Sequence, residues 1–159
     1  MANRGLSAGA ITELATKSIE VYHLFRVDFS APVYLTTAPH NITYDDGDGS
    51  QTYTSTGALL SIPDISESLK IKPETIRINL SGATAANFIL LLTEAKGATT
   101  YITKYLVGIP EGVLVFKGFT DNYTTTENSM KGSASVDLSI SNHWSDWDAR
   151  QGTYLSDAE

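Results

Sequence analysis

Between Ile19 and Phe29 the chain alternates residue by residue: Ile19, Val21, His23, Phe25, Val27 and Phe29 fall on one side, and Glu20, Tyr22, Leu24, Arg26 and Asp28 on the other. A period of two over eleven positions is a strand signature, and a strand of that length needs partners. The partners are visible further along. Thr75 to Leu80 alternates Ile76, Ile78 and Leu80 against Arg77 and Asn79, and three longer extended stretches follow at Thr99 to Val107, Val113 to Glu127 and Ser133 to Asn142. Turn residues separate them, Pro110-Glu111-Gly112 and Asn128 to Gly132, so these three read as a local meander.

Shorter extended pieces complete the expectation. Val33 to Thr36 lies between Pro32 and Pro39, and Ile62 to Ile71 between Pro63 and Pro73. Two Thr/Tyr segments, Asn41 to Tyr44 and Gln51 to Thr54, flank Asp45-Asp46-Gly47-Asp48-Gly49-Ser50, whose Asp-Gly pairs provide positive φ cheaply and mark a hairpin. Helical spacing occurs twice. Leu6 to Ser18 carries Leu6, Ala10, Ile11 and Leu14 with Ser7 as a cap, and Ala83 to Ala95 carries Phe88, Leu91 and Leu92 with Gly97 as a stop. The sequence therefore predicts a mainly β fold, a β-sandwich or barrel, with two short helices. Residues 1–142 form one β-rich domain with its N-terminal helix, and residues 143–159 form a C-terminal arm in which Trp144, Trp147 and Tyr154 need a surface to dock on.

Composition narrows the function. Among 159 residues, charged side chains make up only 18%, while nineteen Thr and sixteen Ser supply hydroxyls instead. The net charge of −7 argues against phosphate-backbone binding as the main role. The longest apolar run, Phe88 to Leu92, is too short for a membrane span, and no signal peptide is visible at the start. With no Cys there are no disulfides, thiolate metal sites or Cys nucleophiles.

Candidate chemical sites each meet a plainer reading. The Asp45 to Asp48 cluster could offer oxygens to a hard cation, but from Asp46 the sixth position is Gln51 and the twelfth Gly57, where an EF-hand needs Gly and Glu. A solvated hairpin tip is the expectation. His23 belongs on the strand face of Val21 and Phe25, His40 in a loop, and His143 beside Trp144, Asp146 and Asp148 without a second His near it, so no metal site or cofactor is expected. Neither Gly-x-Ser-x-Gly nor a phosphate-binding glycine loop occurs, and nothing selects a carboxylate pair. Catalytic, cofactor and metal residues are thus expected to be none. The sequons at Asn41, Asn79 and Asn122 follow from abundant Ser and Thr. Trp144 and Trp147 suit either packing against another chain or a sugar-stacking platform.

The order of these pieces carries a resemblance. The helix leading into Val21-Tyr22-His23-Leu24-Phe25-Arg26-Val27, then Tyr34-Leu35-Thr36, then Ile42-Thr43-Tyr44, Gly49 and Tyr53-Thr54-Ser55, resembles the N-terminal region of tail-tip and baseplate-hub proteins of long-tailed bacteriophages and gene-transfer agents. Pro63 to Asn79, Gly112-Val113-Leu114-Val115-Phe116-Lys117-Gly118 and Asn142-His143-Trp144 extend it. The resemblance implies a structural virion component, made in the host cytoplasm, that is not an enzyme and forms a ring with copies of itself around the tail axis beside neighbouring tail proteins. Iron–sulfur or enzymatic extensions of longer relatives do not carry over to a chain without Cys. On this reading Trp144, Trp147 and Tyr154 are the expected subunit contacts, and low charge suits strand faces that become interfaces. The rival expectation is a carbohydrate-binding module for host recognition, built from Trp144, Trp147 and the Asp-rich loop.

Overall fold

The protein is described by a computed structural model covering residues 6–16, 19–55, 59–63, 75–81, 93–94, 96–109, 111–128 and 133–143. Its elements are α1 (Ala8–Thr16), β1 (Val21–Asp28), β2 (Val33–Thr36), β3 (Ile42–Asp45), β4 (Ser50–Tyr53), β5 (Leu59–Ser61), β6 (Thr75–Ser81), β7 (Thr99–Leu106), β8 (Gly112–Asn128) and β9 (Ser133–Ser141). Seven strands make one antiparallel sheet in the order β2-β1-β7-β8-β9-β6-β5, and β3 and β4 pair separately as a hairpin. The expected mainly β fold and the β7-β8-β9 meander are present. Of the second expected helix only Thr93 and Glu94 are described, and they are helical. The strand expected over Ile62 to Ile71 lies almost wholly outside the described residues, and a short strand that was not expected precedes it. Pairing occurs earlier, at β5, Ile62 and Pro63 lie outside any strand, and residues 64–74 fall outside the described ones.

The large sheet is strongly curled. Flat, seven strands spaced at about 4.8 Å would spread over roughly 29 Å. Yet Leu35 of β2, Phe25 of β1, Ile102 of β7, Phe116 of β8, Leu138 of β9 and Ile78 of β6 belong to one contact cluster. The bend is written into β8. Val115 is an extra residue against β7, between the pairs Ile102↔Phe116 and Thr103↔Leu114. Asp121 is an extra residue against β9, between Thr120↔Ile140 and Asn122↔Ser139. Bulges bend a strand and increase its twist. Between them Gly118 lets the Ser141 carbonyl approach so closely that a Cβ there would collide with it.

Helix α1 caps one end. Ser7 Oγ accepts the Ala10 N–H at 3.1 Å, as its place before the helix suggests, and Glu111 accepts the Ser7 N–H at 2.9 Å. Ala10 then packs on Leu106, the last residue of β7, and on Ile109 just beyond it. The β3-β4 hairpin covers the opposite face of β1. Its base is fastened to β2 where Thr54 donates to the Tyr34 carbonyl and accepts from the Thr36 N–H, both at 3.1 Å. So between Leu24 and Val27 neither face of β1 is left to solvent: Phe25 and Val27 enter the main core, while Leu24 joins Ala38, Ile42 and Tyr53 beneath the hairpin.

Candidate functional site: an arginine clamp in a tyrosine layer

The alternation of β1 puts Tyr22, Leu24 and Arg26 under the hairpin, and strand register decides what meets Arg26. It pairs with Tyr34 on β2 and Tyr101 on β7, and Tyr101 pairs with Lys117 on β8. The result is a row across four strands in which aromatic rings and cations alternate. The guanidinium carbon lies 5.9 Å from the Tyr34 ring centroid and 5.0 Å from that of Tyr101, and Lys117 Nζ lies 5.1 Å from Tyr101. These are cation–π distances.

The rest of the clamp comes from the hairpin tip. Arg26 Nη1 donates to Asp46 Oδ2 at 2.8 Å and Asp48 Oδ2 at 2.7 Å, while Nε and Nη2 grip Asp28 at 2.6 and 3.2 Å. Tyr53, 2% exposed, donates its hydroxyl to the same Asp46 oxygen at 3.0 Å. Gly47 and Gly49 take φ of 99° and 105°, which turns the tip back over the sheet. The expectation of a solvated tip is corrected here for Asp46, whose side chain is only 11% exposed; Asp48, at 68%, keeps its face to water. Physically, Arg26 could not sit at 12% exposure under the hairpin without counter-charges, and the tip supplies them.

Burial would weaken Arg26's hold on its proton, but the hydrogen bonds to Asp28, Asp48 and Asp46 reverse this and raise its pKa overall. Burial likewise pushes Asp46 up, and Arg26, the Asp48 N–H and Tyr53 more than offset it, so the carboxyl stays below its ordinary value. Tyr53 is held well above the usual phenol range by burial and by the Asp46 charge. Burial and Asp46 also raise Tyr44. Beside the clamp lies a cavity of about 280 Å³ that also reaches Tyr44, Thr103, Gly112 and Leu114. Edge-to-face pairs stiffen the layer around it, Tyr34 with Tyr53 at 5.3 Å and Tyr44 with Tyr105 at 5.9 Å.

Chemically this is a fastening. Among the described residues, no buried side-chain nitrogen or oxygen lacks a hydrogen-bond partner, and no group of three His, Cys, Asp or Glu is placed to hold a metal. The histidines stand apart: His23 is half-buried, His40 meets Tyr22 edge-on at 6.0 Å, and His143 meets Phe119 edge-on at 4.7 Å. Asn41 Oδ1 accepts the Ser55 N–H. Trp144, Trp147 and Tyr154, the expected subunit contacts, lie outside the described residues. What sequence reading missed was Arg26. Its signal was there, since a lone cation on the Tyr22-Leu24 side of β1 needs counter-charges once that side is covered.

No family model matches this chain. No curated protein matches it. Among solved structures it is similar to a chain from the virion of a native gene transfer agent particle, at 10% identity and a TM-score of 0.48, over 84% of this chain and 44% of that one. The chain thus spans less than half the length of that neighbour. No helix among the described residues is long and apolar enough to cross a membrane.

Proposed function

We propose that this protein is a structural, non-enzymatic component of a bacteriophage-type virion, placed at the tail tip or baseplate hub and assembled with copies of itself in a ring around the tail axis, beside other tail proteins. The observation that supports this reading is where the resemblance-bearing segments lie. Val21 to Val27, Tyr34 to Thr36, Ile42 to Tyr44, Gly49 and Tyr53 to Ser55 are the strands and turn that build the clamped hairpin layer. The residues that carry the likeness to tail proteins are therefore engaged in holding a shell together, with the clamp's Arg26, Asp46 and Tyr53 bonded to one another. Sugar recognition by the Asp-rich loop is disfavoured by the same fact, since Asp46 already serves Arg26 and Tyr53.

Negative-stain electron microscopy of the purified protein, together with antibody labelling of its parent particle, tests the proposal. Rings with a central opening and label at the tail end are expected. Label confined to the capsid, or a protein that stays monomeric at every concentration, would overturn it.

A further inference from the structure

Resting on that reading for the identity of the partner alone, we infer that the cavity beside the clamp receives the guanidinium of an arginine side chain from an adjoining tail protein, bonded by Asp48 and Thr103 with its stem against Leu114. The cavity holds about 280 Å³ and is lined from the hairpin and from strands β1, β7 and β8. Pockets that enclose a whole small molecule run to roughly 300–1,000 Å³, so this one has room for the end of a side chain.

Thr103 marks the cavity as a place for a polar occupant. It is 6% exposed and lines the wall, yet among the described residues its hydroxyl has no hydrogen-bond partner. Every fully buried side-chain oxygen among those residues has one, so the Thr103 hydroxyl is the part of that residue which reaches the cavity. An unpaired hydroxyl at a buried strand position calls for an occupant with hydrogen-bonding atoms.

Charge decides which occupant. The lining sets two carboxylates, Asp46 and Asp48, against one cation, Arg26. Arg26 has committed Nε, Nη1 and Nη2 to Asp28, Asp46 and Asp48, which leaves little for an anion. Asp46 is engaged too: Oδ2 accepts from Arg26 and Tyr53, and Oδ1 from the Asp48 N–H. Asp48 is the carboxylate with capacity to spare, since among the described residues only its Oδ2 is bonded and its side chain is 68% exposed. Negative charge also reaches Tyr44 in the same lining, whose hydroxyl is pushed up first by burial and then by Asp46, with Asp45 and Glu111 adding to it. Lys117 does not line the cavity; its Nζ lies over Tyr101 at 5.1 Å. Leu114, opposite Thr103 on the β7-β8 ladder and 54% exposed, gives an aliphatic stem apolar cover while the charged head is bonded beside it. A guanidinium suits this better than an ammonium, because its planar fork can bond Asp48 and still spare an N–H for the Thr103 hydroxyl.

The test titrates the full chain, labelled with nitrogen-15, with N-acetyl-arginine amide and separately with N-acetyl-citrulline amide, which keeps the shape and loses the charge. The arginine probe is expected to shift the amides of Asp48, Thr103 and Leu114 saturably in the millimolar range, and the citrulline probe to bind at least tenfold more weakly. Asp48→Asn leaves an oxygen for Arg26, and Thr103→Val keeps the strand's shape; with circular dichroism spectra like wild type, each should weaken arginine binding at least threefold. No saturable shift, equal binding of the two probes, or unchanged binding in Asp48→Asn overturns the site. Because these readings are made on the protein by itself, such a failure leaves the tail placement standing. Antibody label confined to the capsid removes the tail partner and leaves the arginine site standing.

Discussion

Replacing Arg26 by Met keeps most of the side-chain volume and removes the charge at the centre of the clamp. Three carboxylates then lose their cation: Asp28, Asp46 and Asp48. Asp48 is 68% exposed and Asp28 29%, so water replaces much of what they lose. Asp46 is 11% exposed and retains only Tyr53 and the Asp48 N–H, so it dominates the cost. Removing one partner of a fully buried pair costs about 3–5 kcal/mol. With one partially buried carboxylate and two wetter ones, about 3 kcal/mol is expected, a fall in Tm of about 6–12 °C for a domain of this size. Differential scanning calorimetry and urea midpoints at pH 7 measure it.

The pH dependence separates electrostatics from packing. In wild type the Asp46 pKa is depressed below its ordinary 3.8, so its contribution is complete above that value and is lost as pH falls through the lower folded pKa. In Arg26→Met the orphaned carboxyl gains a proton instead, and the difference between the two proteins shrinks below about pH 4. Adding Asp46→Asn to Arg26→Met removes the orphaned charge and recovers part of the loss, so the two effects are not additive. A loss under about 0.5 kcal/mol at pH 7, or a loss that does not change between pH 7 and pH 3, would refute the clamp as a stabilising device.

Gly118→Ala sets a Cβ against the Ser141 carbonyl and the Phe116 ring, where backbone cannot yield cheaply. It should cost about 2–4 kcal/mol in urea unfolding, and a neutral result would mean the bend of β8 is not tight there. Ser7→Ala removes the hydroxyl that caps α1 while sparing the Ser7 N–H bond to Glu111, and should cost about 1 kcal/mol by the same measurement. In spectrophotometric titration at alkaline pH, Tyr53 should ionise well after the ordinary phenols, since its folded pKa is raised. Its stabilising contribution is full below pH 10 and disappears as pH climbs toward the folded value, so Tyr53→Phe should flatten the fall in stability above pH 10.

The long strands could be read in advance because their signals are local. β1 and β6 lie where their period of two puts them, β7, β8 and β9 where turn residues bound them, and the hairpin around Asp45 to Ser50 follows from its glycines. β5 escaped because three residues carry no period, and Pro63 bounds the segment from the wrong side. The clamp is different in kind. Arg26 and Asp46 are 20 positions apart, and what brings them together is the folding of the hairpin over β1, a tertiary event with no local pattern. Periodicity assigns Arg26 to a face, but whether that face is wet or covered depends on another sheet.

That dependence explains why an acidic tip can look like a calcium loop and act as a lock. The composition of Asp45 to Asp48 is the same in either case, and the turn needs its glycines in either case. The deciding residue lies on another strand. Arg26 has its Nε, Nη1 and Nη2 bonded among three aspartates while Tyr34 and Tyr101 flank its plane, so removing the cation leaves the tip with repelling carboxylates and only the Tyr53 hydroxyl to hold Asp46 down. The Arg26→Met variant therefore tests more than a stability increment. If its tip lifts, amide exchange at Gly47, Asp48 and Gly49 should rise at least tenfold while Ile42 and Tyr53, anchored in the core beneath, stay protected. Unchanged exchange at the tip would mean that the tyrosine layer alone seats the hairpin.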